Sequence, residues 1–144
     1  MFNRILVPTD GSDITGKAVA TAIRLAKSVH ATLYTLSVKE PFPYSAISEM
    51  QPTPPQEFFE AQERIAAARV REVRESAEAA GLQCSAETVE ALHPWEAVIE
   101  HAKRHDCDLI VMASHGRRGV TAMLLGSETQ KVLTHTTIPV LGVR

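Results

Sequence analysis

Five short apolar runs punctuate this chain, and between them lie longer stretches whose apolar residues recur at helical spacing. That alternation constrains the fold more than any other feature. Ile5-Leu6-Val7 reads as a buried strand closed by Pro8. From Ser12, an N-cap residue type, Ala18, Ala22, Leu25, Ala26 and Val29 fall on one face of a helix. Thr32 to Val38 is rich in β-branched and aromatic residues and reads as the second strand. A long helix is expected from Gln56 to Ala80, with Phe58, Ala61, Ile65, Ala66, Val70, Val73, Ala77 and Ala80 as its buried stripe and Gly81 as its stop. Gln83 to Thr88 is the third strand. Pro94 suits the first turn of the next helix, from which Trp95, Val98, Ile99 and Ala102 face inward. Asp108 to Ala113 carries the strongest buried-strand signal. Ser127 with Gln130 has the pattern of a capping box opening the last helix. Ile138 to Val143 is the fifth strand, with Pro139 near its start.

Strands alternating with helices of this length imply right-handed crossovers and a parallel sheet covered on both faces, an α/β architecture. The 144 residues suit one domain, 1–144, with its own hydrophobic core. Residues 41–55 hold five of the eight prolines and no periodicity, so a flexible loop is expected there. A formal net charge of −2 and the absence of a long basic run argue against nucleic acid as a partner. No stretch approaches the roughly 20 apolar residues of a membrane-spanning helix, and the first residues lack a signal-peptide pattern. A cytoplasmic protein is expected. Cys84 and Cys107 form neither a disulfide framework nor a zinc-site spacing, and the six histidines read as scattered.

In open parallel sheets ligands bind beyond the carboxyl ends of the strands, and two segments there carry candidate chemistry. Pro8-Thr9-Asp10-Gly11-Ser12 follows the first strand: its carboxylate can accept hydrogen bonds from ribose hydroxyls, and a helix N-terminus follows. The same residues also read as a plain turn with a capping serine. Ala113-Ser114-His115-Gly116-Arg117-Arg118-Gly119 follows the fourth strand, and Gly126-Ser127 lies at a helix start, offering backbone N–H groups, a hydroxyl and a helix dipole to a polyphosphate. A loop and a well-capped helix would look alike.

The run Ile5 to Ser12, the segment Asp108 to Gly119, Leu125-Gly126-Ser127 and the closing Ile138-Pro139-Val140-Leu141-Gly142-Val143 together resemble the universal stress proteins over the whole chain. The resemblance implies a Rossmann-like three-layer sandwich, of the adenine nucleotide alpha hydrolase-like kind, with a five-stranded parallel sheet in the order 3-2-1-4-5. It also implies ATP, ADP or AMP as a regulatory ligand, with Mg²⁺ or Mn²⁺ accompanying the phosphates. On the matching positions, Asp10 would hold ribose or position a metal-bound phosphate. Thr9 and Val38 would line the adenine pocket, with Met112, Ala113 and Gly116 beneath ribose and the first phosphates, and Pro8 and His115 would also belong to the nucleotide site. Arg117, Gly126, Ser127, Glu128 and Thr129 would face the phosphates. The family's nucleotide-binding motif is Gly, two residues, Gly, nine residues, Gly and Ser or Thr; here Gly116 and Gly126-Ser127 match and Ala113 replaces the first glycine. If that methyl crowds the ligand, an overpacking cost of about 1–3 kcal/mol would weaken binding roughly five- to 150-fold.

Two other readings stand beside the nucleotide-binding regulator. A dimeric interaction module of the same family would bind no nucleotide, and Ala113 is what supports it. A dedicated enzyme is disfavoured, because the chain has no Ser-Gly-Gly-x-Asp-Ser, His-x-Gly-His or P-loop motif; slow hydrolysis of ATP is the most that is expected. His115 has no evident catalytic partner. The resemblance also implies a homodimer through Ile138 to Val143, an apolar strand expected at a sheet edge.

Overall fold

The computed structural model describes residues 1–39, 41, 56–114 and 126–144. Along the chain these form β1 (Arg4–Pro8), α1 (Asp13–Val29), β2 (Thr32–Lys39), α2 (Gln56–Ala79), β3 (Cys84–Glu90), α3 (Pro94–Arg104), β4 (Leu109–Ala113), α4 (Ser127–His135) and β5 (Val140–Val143). The five strands make one parallel sheet in the order β3-β2-β1-β4-β5, as expected. Among the described residues no helix is long and apolar enough to cross a membrane. The expected loop over 41–55 falls, apart from Pro41, outside the described residues.

Strand alternation sends successive side chains to opposite faces, and β1 and β4 use both. Ile5, Val7, Leu109, Val111 and Ala113 join a core with α1 and α2, where Ala18, Ala22, Ala26, Val73 and Ala77 close over them. Leu6, Ile110 and Met112 join a second core with Leu36, Val98, Ile99 and Val132 under α3 and α4. This two-sided burial explains why β1 and β4 read as unbroken apolar runs.

Three details differ from expectation. Ile65 is 45% exposed, and the buried line of α2 is Ala66, Val70, Val73 and Ala77. A 24-residue helix is about 36 Å long, more than a strand of eight residues can cover at about 26 Å, so the first turns of α2 lack a buried face. The N-cap of α4 is Gly126 with no side-chain cap, so Ser127 is the first helical residue and the capping box is not formed. The last strand is shorter than expected, Val140–Val143, and does lie at the sheet edge.

Candidate functional site

β1 and β4 are neighbours at the centre of the sheet, with Ile5 beside Leu109 and Leu6 beside Ile110. Beyond β1 the chain enters α1 on one face; α4, the helix after β4, covers the other. The strand order reverses between them, which opens a crevice at their carboxyl ends.

The turn after β1 is held by its own side chains. The Thr9 N–H donates to the Leu36 carbonyl at 2.9 Å, tying the end of β1 to β2. Thr9 Oγ1 accepts from the Gly11 N–H at 3.2 Å. Asp10 Oδ1 accepts from the Ser12 N–H at 2.9 Å and from the Thr15 hydroxyl at 2.7 Å. Ser12 Oγ caps α1 by accepting from the Thr15 N–H at 3.2 Å. Gly11 has φ +78°, a backbone conformation that favours glycine, and a Cβ there would meet Arg69 Cγ of α2 at 3.1 Å, so the Arg69 side chain would have to shift. The expectation of a capping serine is met, and the Asp10 carboxylate is oriented rather than loose.

The other wall is the end of β4. Ala113 is 8% exposed, and its methyl belongs to the core under α1 and α2. Its carbonyl accepts from the Thr129 hydroxyl at 2.7 Å. The Ser114 N–H donates to the Val143 carbonyl at 2.7 Å, and the Ser114 carbonyl accepts from the Gly126 N–H. These bonds dock the start of α4 on the end of β4. Glu128 reaches the other way: its carboxylate accepts from the Trp95 N–H at 2.9 Å and caps α3. The side chains of Glu128 and Thr129 are therefore engaged within the protein. What α4 presents to the crevice is its first turn, whose backbone N–H groups have no intrahelical acceptor, together with Ser127. Val38 and Met112 lie on the α3–α4 side of the sheet. His115, Gly116 and Arg117, with the rest of 115–125, lie outside the described residues.

Thr15 and Arg69 border this site without having been singled out in the sequence. For Thr15 the signal was present, a hydroxyl three residues after an N-cap serine. Arg69 comes from a helix more than fifty positions away, and no local pattern points to it.

A second group of titratable side chains corrects the reading of the histidines as scattered. His101 and His105, four residues apart at the end of α3, meet Glu87 of β3. Burial first, and the neighbouring His105 second, push the His101 imidazole below its ordinary pKa. Both cysteines are free; burial raises Cys84 to about 11 and Cys107 to about 12.

The fold is that of a doubly wound α/β protein, with β1 and β4 meeting at the topological switch point. The model of the universal stress protein family matches residues 1–144, and the chain belongs to that family. It is 35% identical to universal stress protein YxiE of Bacillus subtilis, with all of both chains covered. Among solved structures it is similar to universal stress protein UspA from Lactobacillus plantarum, with a TM-score of 0.83, 24% identity and coverage of 99% of this chain and 98% of the other. It is also similar to a universal stress protein solved in complex with cAMP, with a TM-score of 0.73, 25% identity and coverage of 99% and 97%.

Proposed function

We propose that this protein binds an adenine nucleotide, ATP foremost, across the carboxyl ends of β1 and β4 as a regulatory ligand. The observation that carries the proposal is the placement of an oriented carboxylate, Asp10, after β1 and of the N-terminal turn of α4 after β4, the two strands paired at the switch point. A carboxylate facing ribose and helix N–H groups facing phosphates are complementary to the two ends of a nucleotide. The similar structure in complex with cAMP supports adenine as the base. Asp10 and Ser127 are oxygen donors, which suits Mg²⁺ or Mn²⁺ brought in with the phosphates. Bound there, the cation would neutralise phosphate charge, while Asp10, the α4 N–H groups and Ser127 orient the nucleotide.

Ala113 is compatible with this role. Its methyl packs into the core under α1 and α2, so its volume is spent there. Protein purified from cells is denatured and the released small molecules identified by mass; the stripped protein is then titrated with Mg·ATP in a calorimeter. Release and rebinding of an adenine nucleotide are expected. Neither release nor binding at millimolar nucleotide would overturn the proposal, and recovery of binding by Ala113→Gly would then assign the loss to that methyl.

A second reading concerns assembly. β5 is an edge strand with Leu141 39% exposed, and an open apolar edge favours pairing with a second copy. Light scattering at tens of micromolar is expected to give twice the chain mass; a monomer mass would sink this reading.

A further inference from the structure

At the end of α3, His101 and His105 lie one helical turn apart, so both imidazoles stand on the same side of the helix. That side faces Glu87, a residue of the edge strand β3. Arg4, at the start of β1, donates to the His105 carbonyl at 3.0 Å, so the end of α3 lies by the amino end of β1, while Glu87 stands mid-strand in register with Leu36. His101 Nδ1 lies 3.6 Å from Glu87 Oε2, and His105 Nε2 lies 3.6 Å from Glu87 Oε1. These separations exceed the usual 2.7–3.2 Å of an N–H···O hydrogen bond. They match the roughly 3.4 Å between neighbouring ligand atoms around a tetrahedral ion with bonds of about 2.05 Å. One ligand atom from each of the three residues lies within 4.8 Å of the others, a spread that small side-chain rotations close.

A second observation points the same way. His101 is 2% exposed, yet neither of its ring nitrogens has a hydrogen-bond partner among the described residues; the same holds for His105 Nε2. Buried polar atoms are nearly always satisfied, and imidazoles left without partners beside a carboxylate are what a site for a missing cation looks like. Of the nearby cations, Arg104 is drawn towards Glu100, at 3.7 Å. Glu87 and His105 keep 40% and 23% side-chain exposure, so solvent reaches the cluster. His101 also lines a cavity of about 250 Å³ between α3 and the end of β3, beside Glu90, Leu92 and Arg104.

We infer that Glu87, His101 and His105 form a binding site for a single divalent transition-metal ion, Zn²⁺ in the first instance, with its remaining coordination position open to water. Two imidazoles among three ligands favour Zn²⁺ and its neighbours over Mg²⁺ and Ca²⁺, which take oxygen. The site shares no residue with the nucleotide crevice. Its direct consequence is a clasp between the end of α3 and the outer strand, so metal supply sets the stability of that edge by mass action.

The test uses the full chain without a histidine tag, stripped with chelator and free of added nucleotide. Zn²⁺ alone is titrated at neutral pH by calorimetry, Co²⁺ binding is followed by visible absorption, and melting is recorded against Zn²⁺ concentration. One equivalent is expected to bind, with a Co²⁺ spectrum of four- or five-coordinate type and a melting temperature that rises with Zn²⁺. His105→Gln and Glu87→Gln carry the test, because replacing the buried His101 perturbs folding as well as ligation. Each should weaken Zn²⁺ at least about tenfold, the lower bound seen even for outer-shell changes, and reduce the melting shift. His135→Gln, on the exposed side of α4, should leave both unchanged. No saturable binding at about 100 μM Zn²⁺, weaker than about 5.5 kcal/mol, overturns the inference, as does binding that neither His105→Gln nor Glu87→Gln weakens.

Discussion

The two faces of the sheet are covered by different kinds of side chain. On one, α1 lays Ala18, Ala22 and Ala26 against Ile5, Val7 and Val111, with none of the three alanines exposed. On the other, Val98, Ile99 and Val132 meet Leu6, Leu36, Ile110 and Met112, and the buried His101 sits in α3 with Val98 and Ile99. Small residues bring a helix close and leave no spare volume; larger ones hold it off and leave room for a polar group and a cavity. The alanine face is therefore sensitive to added atoms, and the opposite face to removed ones.

That contrast can be broken most sharply by Leu36→Ala. Leu36 is fully buried under α3 and α4, and its truncation should cost about 2–5 kcal/mol, measured as a lower urea midpoint at unchanged slope. Ala22→Leu makes the converse test on the alanine face and should cost about 1–3 kcal/mol. A neutral result there would mean that α1 has slack the packing does not show. Gly11→Ala, at φ +78° with Arg69 over it, should cost roughly 1–2 kcal/mol and weaken nucleotide binding in the same preparation.

The cysteines sharpen the comparison chemically, since Cys84 packs on the alanine face and Cys107 on the other. With thiols raised to about 11 and about 12, both should resist iodoacetamide at pH 8 in the native protein, Cys107 more than Cys84, and react at once in urea. The smallest effect is expected at Glu63. It holds Lys39 at 2.8 Å and accepts from the Thr88 hydroxyl, fastening α2 to the ends of β2 and β3. The hydrogen bond from Lys39 holds its carboxyl below the ordinary glutamate value. A carboxyl lowered on folding stabilises above its unfolded pKa and loses that contribution as pH falls through the folded one. Glu63→Gln should therefore melt slightly below wild type at pH 7 and converge with it in acid.

Much of this was legible in the order of residues. Ala18, Ala22 and Ala26 repeat every four positions, and Leu109 to Ala113 is apolar throughout, so the helix face and the buried central strand follow from periodicity alone. The strand-end placement of Asp10, Ala113 and Gly126 followed from topology. What stayed hidden depends on distant partners. Glu128 looked available until Trp95 placed an N–H in front of it. The spacing of His101 and His105 was in plain view, but its meaning needed Glu87, which only the return of α3 across β3 supplies.

Ser114 has a further consequence. Its N–H is held by Val143 of the edge strand and its carbonyl by the N–H of Gly126 at the start of α4. The two amides are thus protected by one residue's position. In hydrogen exchange, any opening that moves Ser114 off β5 should expose both together, giving a matched pair of rates from positions twelve residues apart in the chain. Loosening at the sheet edge and loosening at the helix start are, at this residue, the same event.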